Sequence, residues 1–268
     1  MIKREILIRG QVYRLTTWGQ PQAHAWLFLH GFMGSSADFA PFATKLSGYR
    51  ISLDLLGFGP QAATVPATRL AMTPQIQDLA ALLAELGVTQ VNLVGYSMGG
   101  RLALGFTLAQ PQLVGHLFLE SSTAGLADDL QRRQRQQHDQ QLAQTILHNG
   151  LTAFVDYWTQ LPLFASQRRL PAAQQQRMRR QRLQQNPQNL ASSLLQMGTG
   201  SQPNFWPCLA QVGVAVTLIV GAQDQKFSQL GQQLQARLSR SSLVTIASAG
   251  HNTHFEAPDQ FLTALIGG

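Results

Sequence analysis

Three side chains that can act together on a bound molecule occur in a fixed order along this sequence. Ser97 lies at the centre of Gly95-Tyr96-Ser97-Met98-Gly99, and Asp224 and then His251 each follow an apolar run further along the chain. A serine hydroxyl is a weak base and a weak nucleophile at neutral pH, so it needs an imidazole within hydrogen-bond reach. The imidazole in turn needs an acceptor that fixes its tautomer. Because G-x-S-x-G followed by Asp and then His is typical of this chemistry, we predict a catalytic triad of these three residues.

Each member of the set also has an ordinary structural interpretation. Asp224 alone could be a loop cap, and His251 alone could be a satisfied turn residue. His254, Asp54 and His30 are weaker competitors: His30 suits packing, and Asp54 suits fixing a loop through hydrogen bonds to backbone amides. The joint match in order and in strand context favours the triad.

The surroundings of Ser97 predict a strained turn between a strand and a helix. Residues 91–95 form a short apolar run, and residues 101–109 carry apolar side chains at helical spacing. Glycines on both sides of the serine permit a backbone that a Cβ would obstruct. We predict an oxyanion hole from the backbone amide of Met98, next to the serine, and that of Phe32, which follows an upstream apolar strand. The alternative is a chance G-x-S-x-G in a glycine-rich turn.

Strand and helix signals alternate on both sides of this turn. Strands are predicted at residues 25–29, 49–54, 91–95, 113–119, 212–220 and 242–246, and a hairpin at residues 2–18 with its turn at Gly10-Gln11. Helices are predicted at residues 40–46, 101–109, 228–238 and 258–266, and at 73–86 with Thr73 as the N-cap and Gly87 as the stop. Such alternation favours an α/β fold with a mostly parallel central sheet flanked by helices.

Residues 123–201 differ in composition from the rest of the chain. Glutamine and arginine become frequent, strand signals disappear, and helical windows cover residues 127–147 and 172–185. An aromatic and apolar cluster lies between those windows, formed by Phe154, Tyr157, Trp158, Leu163 and Phe164. We predict a helical cap at residues 123–201, inserted into one folded unit whose core is residues 1–122 and 202–268. For most of the cap's arginines and glutamines, a solvated helical face is the simpler interpretation.

Composition limits the classes of function. The chain has 268 residues, 44% of them hydrophobic and 12% charged, which predicts a globular domain rather than a disordered one. A net charge of +7 fits nucleic acid, an anionic membrane surface or an acidic small substrate. We favour the small substrate, because the sequence contains no recognised nucleic-acid module.

The sequence contains few signals for targeting, disulfide formation or metal binding. Cys208 is the single cysteine, so an internal disulfide is excluded and a reducing compartment is favoured. Residues 1–10 lack the apolar run of a signal peptide, and no stretch approaches the length of a membrane span. We expect a cytoplasmic protein, a monomer or weak oligomer, with no metal and no cofactor.

Arginines near the predicted site point to an anionic ligand. Arg101 lies one turn into the helix that begins at the serine, and Arg132, Arg135 and Arg182 are candidates to project from the cap. The planar guanidinium binds both oxygens of a carboxylate. For Arg101, the alternative is a structural salt bridge to a nearby carboxylate such as Glu120.

Several longer segments make a family resemblance specific. They are residues 29–34, 94–101, 125–126 with Arg132 and Arg135, 163–165, 197–206, 221–227 and 249–254. Over nearly the whole chain the sequence resembles the 2-succinyl-6-hydroxy-2,4-cyclohexadiene-1-carboxylate synthases, α/β-hydrolase-fold lyases of menaquinone and phylloquinone synthesis. The more particular features are the tyrosine before the serine, the arginine four residues after it, and the segments MGTGSQP and DQKF.

The resemblance implies an elimination that releases pyruvate, with Ser97 as the base, Asp224 and His251 completing the triad, and the Phe32 and Met98 amides as the oxyanion hole. It also implies a set of substrate-binding residues: Tyr96, Arg101, Arg135, Arg182, Tyr157, Trp158 and Phe164. One departure from the family pattern is Asp54-Leu-Leu-Gly-Phe-Gly, which bears on that loop and not on the triad. The alternatives are a carboxylesterase or thioesterase with a nucleophilic Ser97, and a non-catalytic binding protein of the same fold.

Overall fold

A single sheet of eight strands runs through the computed structural model, which describes residues 1–267. The strands are β1 (Ile2–Ile8), β2 (Gln11–Trp18), β3 (His24–Leu29), β4 (Tyr49–Asp54), β5 (Gln90–Tyr96), β6 (Val114–Glu120), β7 (Ala215–Gly221) and β8 (Ser241–Ile246). Their spatial order is β1-β2-β4-β3-β5-β6-β7-β8. Strand β2 pairs antiparallel with β1 and β4, and all other neighbours are parallel. The predicted mostly parallel sheet is confirmed, and the parallel strands end at one common edge.

Helices pack on both faces of the sheet. They are α1 (Ala40–Ala43), α2 (Met72–Glu85), α3 (Met98–Ala109), α4 (Asp129–Gln160), α5 (Ala172–Arg182), α6 (Pro187–Met197), α7 (Gln225–Gln235), α8 (Thr253–Glu256) and α9 (Pro258–Ile266). None of the helices within residues 1–267 is long and apolar enough to cross a membrane.

Several predicted boundaries differ from the observed ones. The N-cap predicted at Thr73 is wrong: α2 begins at Met72, and its N-cap Ala71 makes no side-chain hydrogen bond. The hairpin turn lies at Arg9-Gly10, both with positive φ, one residue before the predicted position. The helix predicted from residue 101 begins at Met98, because the first turn follows the serine without an intervening loop.

The core forms two layers, one on each face of the sheet. In β3, Leu27 and Leu29 belong to one buried cluster and Phe28 to the other, as expected for side chains that alternate between faces. Helices α2 and α3 pack on the first face, and α9 packs on the second through Phe261. Both faces are therefore apolar, which explains why the central strands appear in the sequence as uninterrupted apolar runs.

Between β6 and β7 the chain is helical and attaches to the core through neutral amides. Gln181 Nε2 donates to Asp38 Oδ1 (3.0 Å), Gln185 Nε2 donates to the Gly34 carbonyl (3.0 Å), and Asn189 Nδ2 donates to the Gly57 carbonyl (3.0 Å). We call Gln181, Gln185 and Asn189 the amide anchors. Helix α4 is broken at Gly150, whose φ of 81° and ψ of 162° are not helical. These helices lie within residues 123–201, which we propose as the cap.

Candidate active site

The turn between β5 and α3 holds Ser97 in a strained backbone conformation. Its φ and ψ are 49° and −106°, a region that a residue with a Cβ rarely occupies. A Cβ on Gly99 would overlap the carbonyl oxygens of Leu29 and His30, and a Cβ on Gly95 would overlap the backbone of Gly100. The two glycines of G-x-S-x-G are therefore required by close backbone approach, and the serine is raised above the carboxyl end of the sheet.

Ser97, His251 and Asp224 are joined by hydrogen bonds in series. His251 Nε2 lies 3.2 Å from Ser97 Oγ, and His251 Nδ1 lies 2.8 Å from Asp224 Oδ2. Because a carboxylate can only accept, Nδ1 carries the hydrogen and Nε2 is free to accept the serine proton. The structure thus brings together the three residues predicted as a triad.

Asp224 also acts as a cap, the structural alternative to its catalytic interpretation, although it caps a helix and not a loop. Its Oδ1 accepts from the backbone amide of Phe227 (3.1 Å), which makes it the N-cap of α7. The helix therefore begins three residues earlier than predicted, at Gln225. The cap bond fixes one carboxylate oxygen and leaves the other aimed at His251, so the two interpretations support each other.

Phe32 and Met98, whose amides were predicted as an oxyanion hole, line the same cavity as Ser97. Met98 is the first residue of α3, so its amide has no acceptor within the helix. Phe32 lies in the turn after β3, where Met33 has a φ of 60° and Gly34 N donates to the Gly31 carbonyl (3.0 Å). Two amides at a helix start and in a tight loop can stabilise negative charge on a ligand oxygen.

The weaker competitors have structural roles. His30 is fully buried, with Nε2 accepting from the Leu55 amide (3.0 Å) and Nδ1 donating to the Gly31 carbonyl (2.7 Å). Burial lowers the pKa of His30, which keeps it neutral. Asp54 Oδ1 accepts from the Ser36 amide (2.6 Å), as the loop-fixing interpretation predicts. His254 is bonded to Glu120 and does not line the cavity.

A cavity of about 1060 Å³ opens above Ser97 and is lined by three arginines, Arg101, Arg135 and Arg182. Arg132, the fourth candidate, does not line it. Arg135 Nε donates to Asp139 Oδ1 (2.9 Å). Arg182 Nη2 donates to Gln167 Oε1 (3.3 Å), and its guanidinium carbon lies 5.4 Å from the ring centre of Phe164.

Arg101 is a buried cation whose bonded partners are neutral oxygens. Its Nη1 donates to the Met197 carbonyl (2.6 Å) and to Gln202 Oε1 (3.1 Å), and the residue is 8% exposed. Burial, together with repulsion from Arg135, lowers the pKa of Arg101 to about 9, so it remains charged at neutral pH. The alternative salt bridge to Glu120 is wrong, because that carboxylate is bonded to Thr253 and His254. A buried cation without a bonded carboxylate favours an anionic ligand.

The aromatic residues predicted to line the site divide into two groups. Trp158, Phe164 and Tyr96 line the cavity. Tyr157 does not: it is 46% exposed, so its predicted place in the substrate pocket is wrong. Successive helical residues point about 100° apart, and α4 turns Trp158 inward, where its ring centre lies 5.2 Å from that of Phe32.

Asp38 is a cavity residue that the sequence reasoning missed. Its carboxylate accepts from the Ser35 amide (3.2 Å) and from Gln181 Nε2 (3.0 Å), and burial raises its pKa. The pattern Ser35-x-x-Asp38 is that of a capping box, and the structure contains one there. That signal predicts the local turn, but the approach of Asp38 to the cavity depends on the helices between β6 and β7.

No group of three or more His, Cys, Asp or Glu side chains that could hold a metal ion occurs among residues 1–267.

The sheet, the strained serine turn and the hydrogen-bonded series define an α/β-hydrolase, and residues 26–258 match the family described as alpha/beta hydrolase fold. The chain is 41% identical over 264 residues to a protein of Bacillus subtilis (strain 168) provisionally named 2-succinyl-6-hydroxy-2,4-cyclohexadiene-1-carboxylate synthase, with 96% of each chain covered. It is 34% identical over 249 residues to the synthase of that name from Salmonella paratyphi C, covering 92% of this chain and 94% of that one. The structure of MenH from S. aureus superimposes with a TM-score of 0.90 at 31% identity, covering 95% and 96% of the two chains. The chain belongs to the 2-succinyl-6-hydroxy-2,4-cyclohexadiene-1-carboxylate synthase family.

Proposed function

We propose that this protein is a carbon–oxygen lyase of menaquinone or phylloquinone biosynthesis. It eliminates pyruvate from 2-succinyl-5-enolpyruvyl-6-hydroxy-3-cyclohexene-1-carboxylate and gives 2-succinyl-6-hydroxy-2,4-cyclohexadiene-1-carboxylate. Relatives that bear the name of this synthase align over more than nine-tenths of their length. The single observation that carries the proposal is the buried Arg101 guanidinium, which borders the cavity of Ser97 and has only neutral bonded partners.

The charge of the substrate matches that of the cavity. The molecule carries three carboxylates, one each on the ring, the succinyl chain and the enolpyruvyl group. Arg101, Arg135 and Arg182 supply three guanidinium groups around one cavity. A pocket for an apolar ester has little reason to bury a cation such as Arg101, whose bonded partners are neutral, because an uncompensated charge in a low-dielectric site is costly. We propose that the arginines, with Tyr96, Trp158 and Phe164, bind this polycarboxylate.

The proposed reaction begins with proton removal from the ring carbon that carries the succinyl group. Ser97 Oγ takes that proton while His251 Nε2 takes the hydroxyl proton of the serine, and Asp224 holds the imidazole tautomer. The amides of Phe32 and Met98 stabilise the negative charge that develops on the succinyl carbonyl oxygen.

The electron pair then moves through the ring double bond, and the bond to the enolpyruvyl oxygen breaks. Pyruvate leaves as its enolate, which gains one proton to become the ketone. The ring is left as the 2,4-diene. One proton is removed and one is returned, so the reaction consumes no water.

The test is an assay of pyruvate with the purified protein and the enolpyruvyl substrate. We expect one pyruvate for each diene formed. Pyruvate is measured with a coupled dehydrogenase, and the diene is measured by its absorbance. The competing function is a carboxylesterase or thioesterase with Ser97 as a covalent nucleophile. Turnover of simple activated esters at rates that rival pyruvate release, or ester turnover with no pyruvate release, would favour that competitor.

We propose a cytoplasmic enzyme that acts on a small polycarboxylate as a monomer or weak oligomer. Light scattering coupled to size-exclusion chromatography measures the oligomeric state.

Two neighbouring aromatic residues provide a matched test of the cavity wall. Trp158→Ala should lower kcat/KM for pyruvate release by roughly 10- to 100-fold, about 1.4–2.8 kcal/mol, because its ring forms part of the cavity. Tyr157→Ala should leave kcat/KM nearly unchanged, because that side chain is exposed. Steady-state kinetics at equal folded fractions, judged by circular dichroism, compare the two variants. Equal losses of kcat/KM in the two variants would contradict the proposal that the Trp158 ring contacts the substrate in the cavity.

A further inference from the structure

The turn that carries His251 and the start of the helix after it are bonded to two carboxylates outside the cavity. The first is Glu256, in the helix that follows the turn. Its Oε2 accepts from the Gly250 amide (2.7 Å), and its Oε1 accepts from the Asn252 amide (3.2 Å). The peptide N–H groups on both sides of His251 are therefore bonded to one side chain.

The second carboxylate is Glu120, the last residue of β6. Its Oε1 accepts from Thr253 Oγ1 (2.7 Å) and from the His254 amide (3.0 Å). Its Oε2 accepts from His254 Nδ1 (2.7 Å). Glu120 is fully buried, so these charge-assisted hydrogen bonds are shielded from competing water.

Glu120 also contacts the other half of the proposed machinery. Its backbone carbonyl accepts from the Ser97 amide (2.8 Å). One residue thus links the serine turn, through its main chain, to the start of α8, two residues after His251, through its side chain. Neither Glu120 nor Glu256 lines the cavity, so neither contacts a ligand there.

We propose that Glu120 and Glu256 are positioning residues that hold the His251 imidazole in register with Ser97. The inference rests on the proposed roles of Ser97 and His251. The turn between β8 and α8 lies outside regular secondary structure, so side-chain acceptors hold its shape together with backbone bonds such as that from the Gln223 amide to the Ala249 carbonyl. Proton transfer depends steeply on distance, and a misplacement of about 1 Å can cost roughly 100-fold in rate. The 3.2 Å separation of Nε2 and Oγ is what the two carboxylates maintain.

Glu120→Gln tests the stronger contact. The substitution keeps the size of the side chain but removes the charge and replaces one accepting oxygen with a donor. We expect kcat for pyruvate release to fall roughly 10- to 100-fold with KM changed little, because the substrate contacts remain. Glu256→Gln should act in the same direction by a smaller factor, since that carboxylate is only partly buried.

A second readout does not depend on the lyase reaction. The rate constant for labelling of Ser97 by a phosphonate reports how well His251 activates the serine. Glu120→Gln should slow labelling by a factor similar to its effect on kcat. If the wild type is labelled rapidly but releases no pyruvate, the proposed function fails while the positioning role is still tested by labelling of the variants.

A matched control separates positioning from general stability. Asp78 is another fully buried carboxylate, in the middle of α2, which is bonded to Tyr13 and Arg69 and does not line the cavity, so Asp78→Asn should lower the free energy of unfolding without slowing labelling. Thr253→Val removes one donor to Glu120 and keeps the side-chain shape, so it serves if Glu120→Gln does not fold. Labelling and kcat at wild-type values in folded Glu120→Gln or Thr253→Val, or a fall matched by Asp78→Asn, would overturn the proposal.

Discussion

Ser97→Ala should lower kcat for pyruvate release by about 10²- to 10⁴-fold, the usual contribution of a positioned general base. The side chain that approaches His251 Nε2 at 3.2 Å is lost, while the cavity and its arginines remain. The measurement is single-turnover pyruvate release, which separates chemistry from product release. Ser193→Ala is the matched control, because Ser193 lines the same cavity but lies next to the Met98 sulfur instead of the imidazole.

The companion variant is His251→Ala. Members of a hydrogen-bonded catalytic set act as a unit, so its loss should be comparable to that of Ser97→Ala, and the double variant should be little worse than either. Ser97→Ala with near-wild-type activity would show that another group is the base. Ser193→Ala with an equally large loss would point to disruption of the cavity rather than to removal of a base.

Arg101→Met should lower kcat/KM by a factor equivalent to about 2–4 kcal/mol of lost transition-state stabilisation. This is the range for truncating one partner of a buried charge pair. The methionine keeps an apolar side chain of similar length and removes the guanidinium that a substrate carboxylate would bind. The Met197 carbonyl and Gln202 Oε1 also lose their donor, so stability should fall as well, by about 1–3 kcal/mol. Steady-state kinetics and urea unfolding measure the two effects separately.

Two further variants divide the roles of Arg101. Arg101→Lys should recover only part of the lost kcat/KM, because an ammonium lacks the planar fork. Gln202→Leu removes one acceptor of Arg101 and leaves its charge, so it should affect stability more than kcat/KM. Normal kcat/KM in Arg101→Met together with a large loss of stability would establish a structural role alone.

The juxtaposition of the proposed triad could be predicted because it follows from topology. Ser97, Asp224 and His251 each follow a strand of a parallel sheet, and parallel strands end at one edge, so residues far apart in the sequence converge there. The strained turn could also be predicted, since both glycines are needed wherever a strand enters a helix so tightly. These features follow from the local residue pattern and from the way parallel strands are connected, so a single sequence is enough to predict them.

Residues on the helices between β6 and β7 could not be assigned in the same way. Whether Tyr157 or Trp158 faces the cavity depends on the rotation of α4 after its break at Gly150, and no periodicity in the sequence fixes that rotation. Glu120 was missed as a partner of the residues that follow His251, because a side-chain hydrogen bond across 133 residues, such as that from Thr253 to Glu120, leaves no local signal. The places of these side chains depend on how distant segments pack together, which the sequence pattern does not specify.

The amide anchors join the helical segment to the core through groups that carry no formal charge. Ionic strength screens the attraction between a polyanion and the arginines, over a Debye length of about 8 Å at 0.15 M salt. The same ions have little effect on bonds from Gln181, Gln185 and Asn189, two of which end on backbone carbonyls. Raising the salt concentration should therefore weaken substrate binding while the helices between β6 and β7 stay attached to the core. The association of the substrate then depends on ionic strength, whereas the attachment of these helices does not.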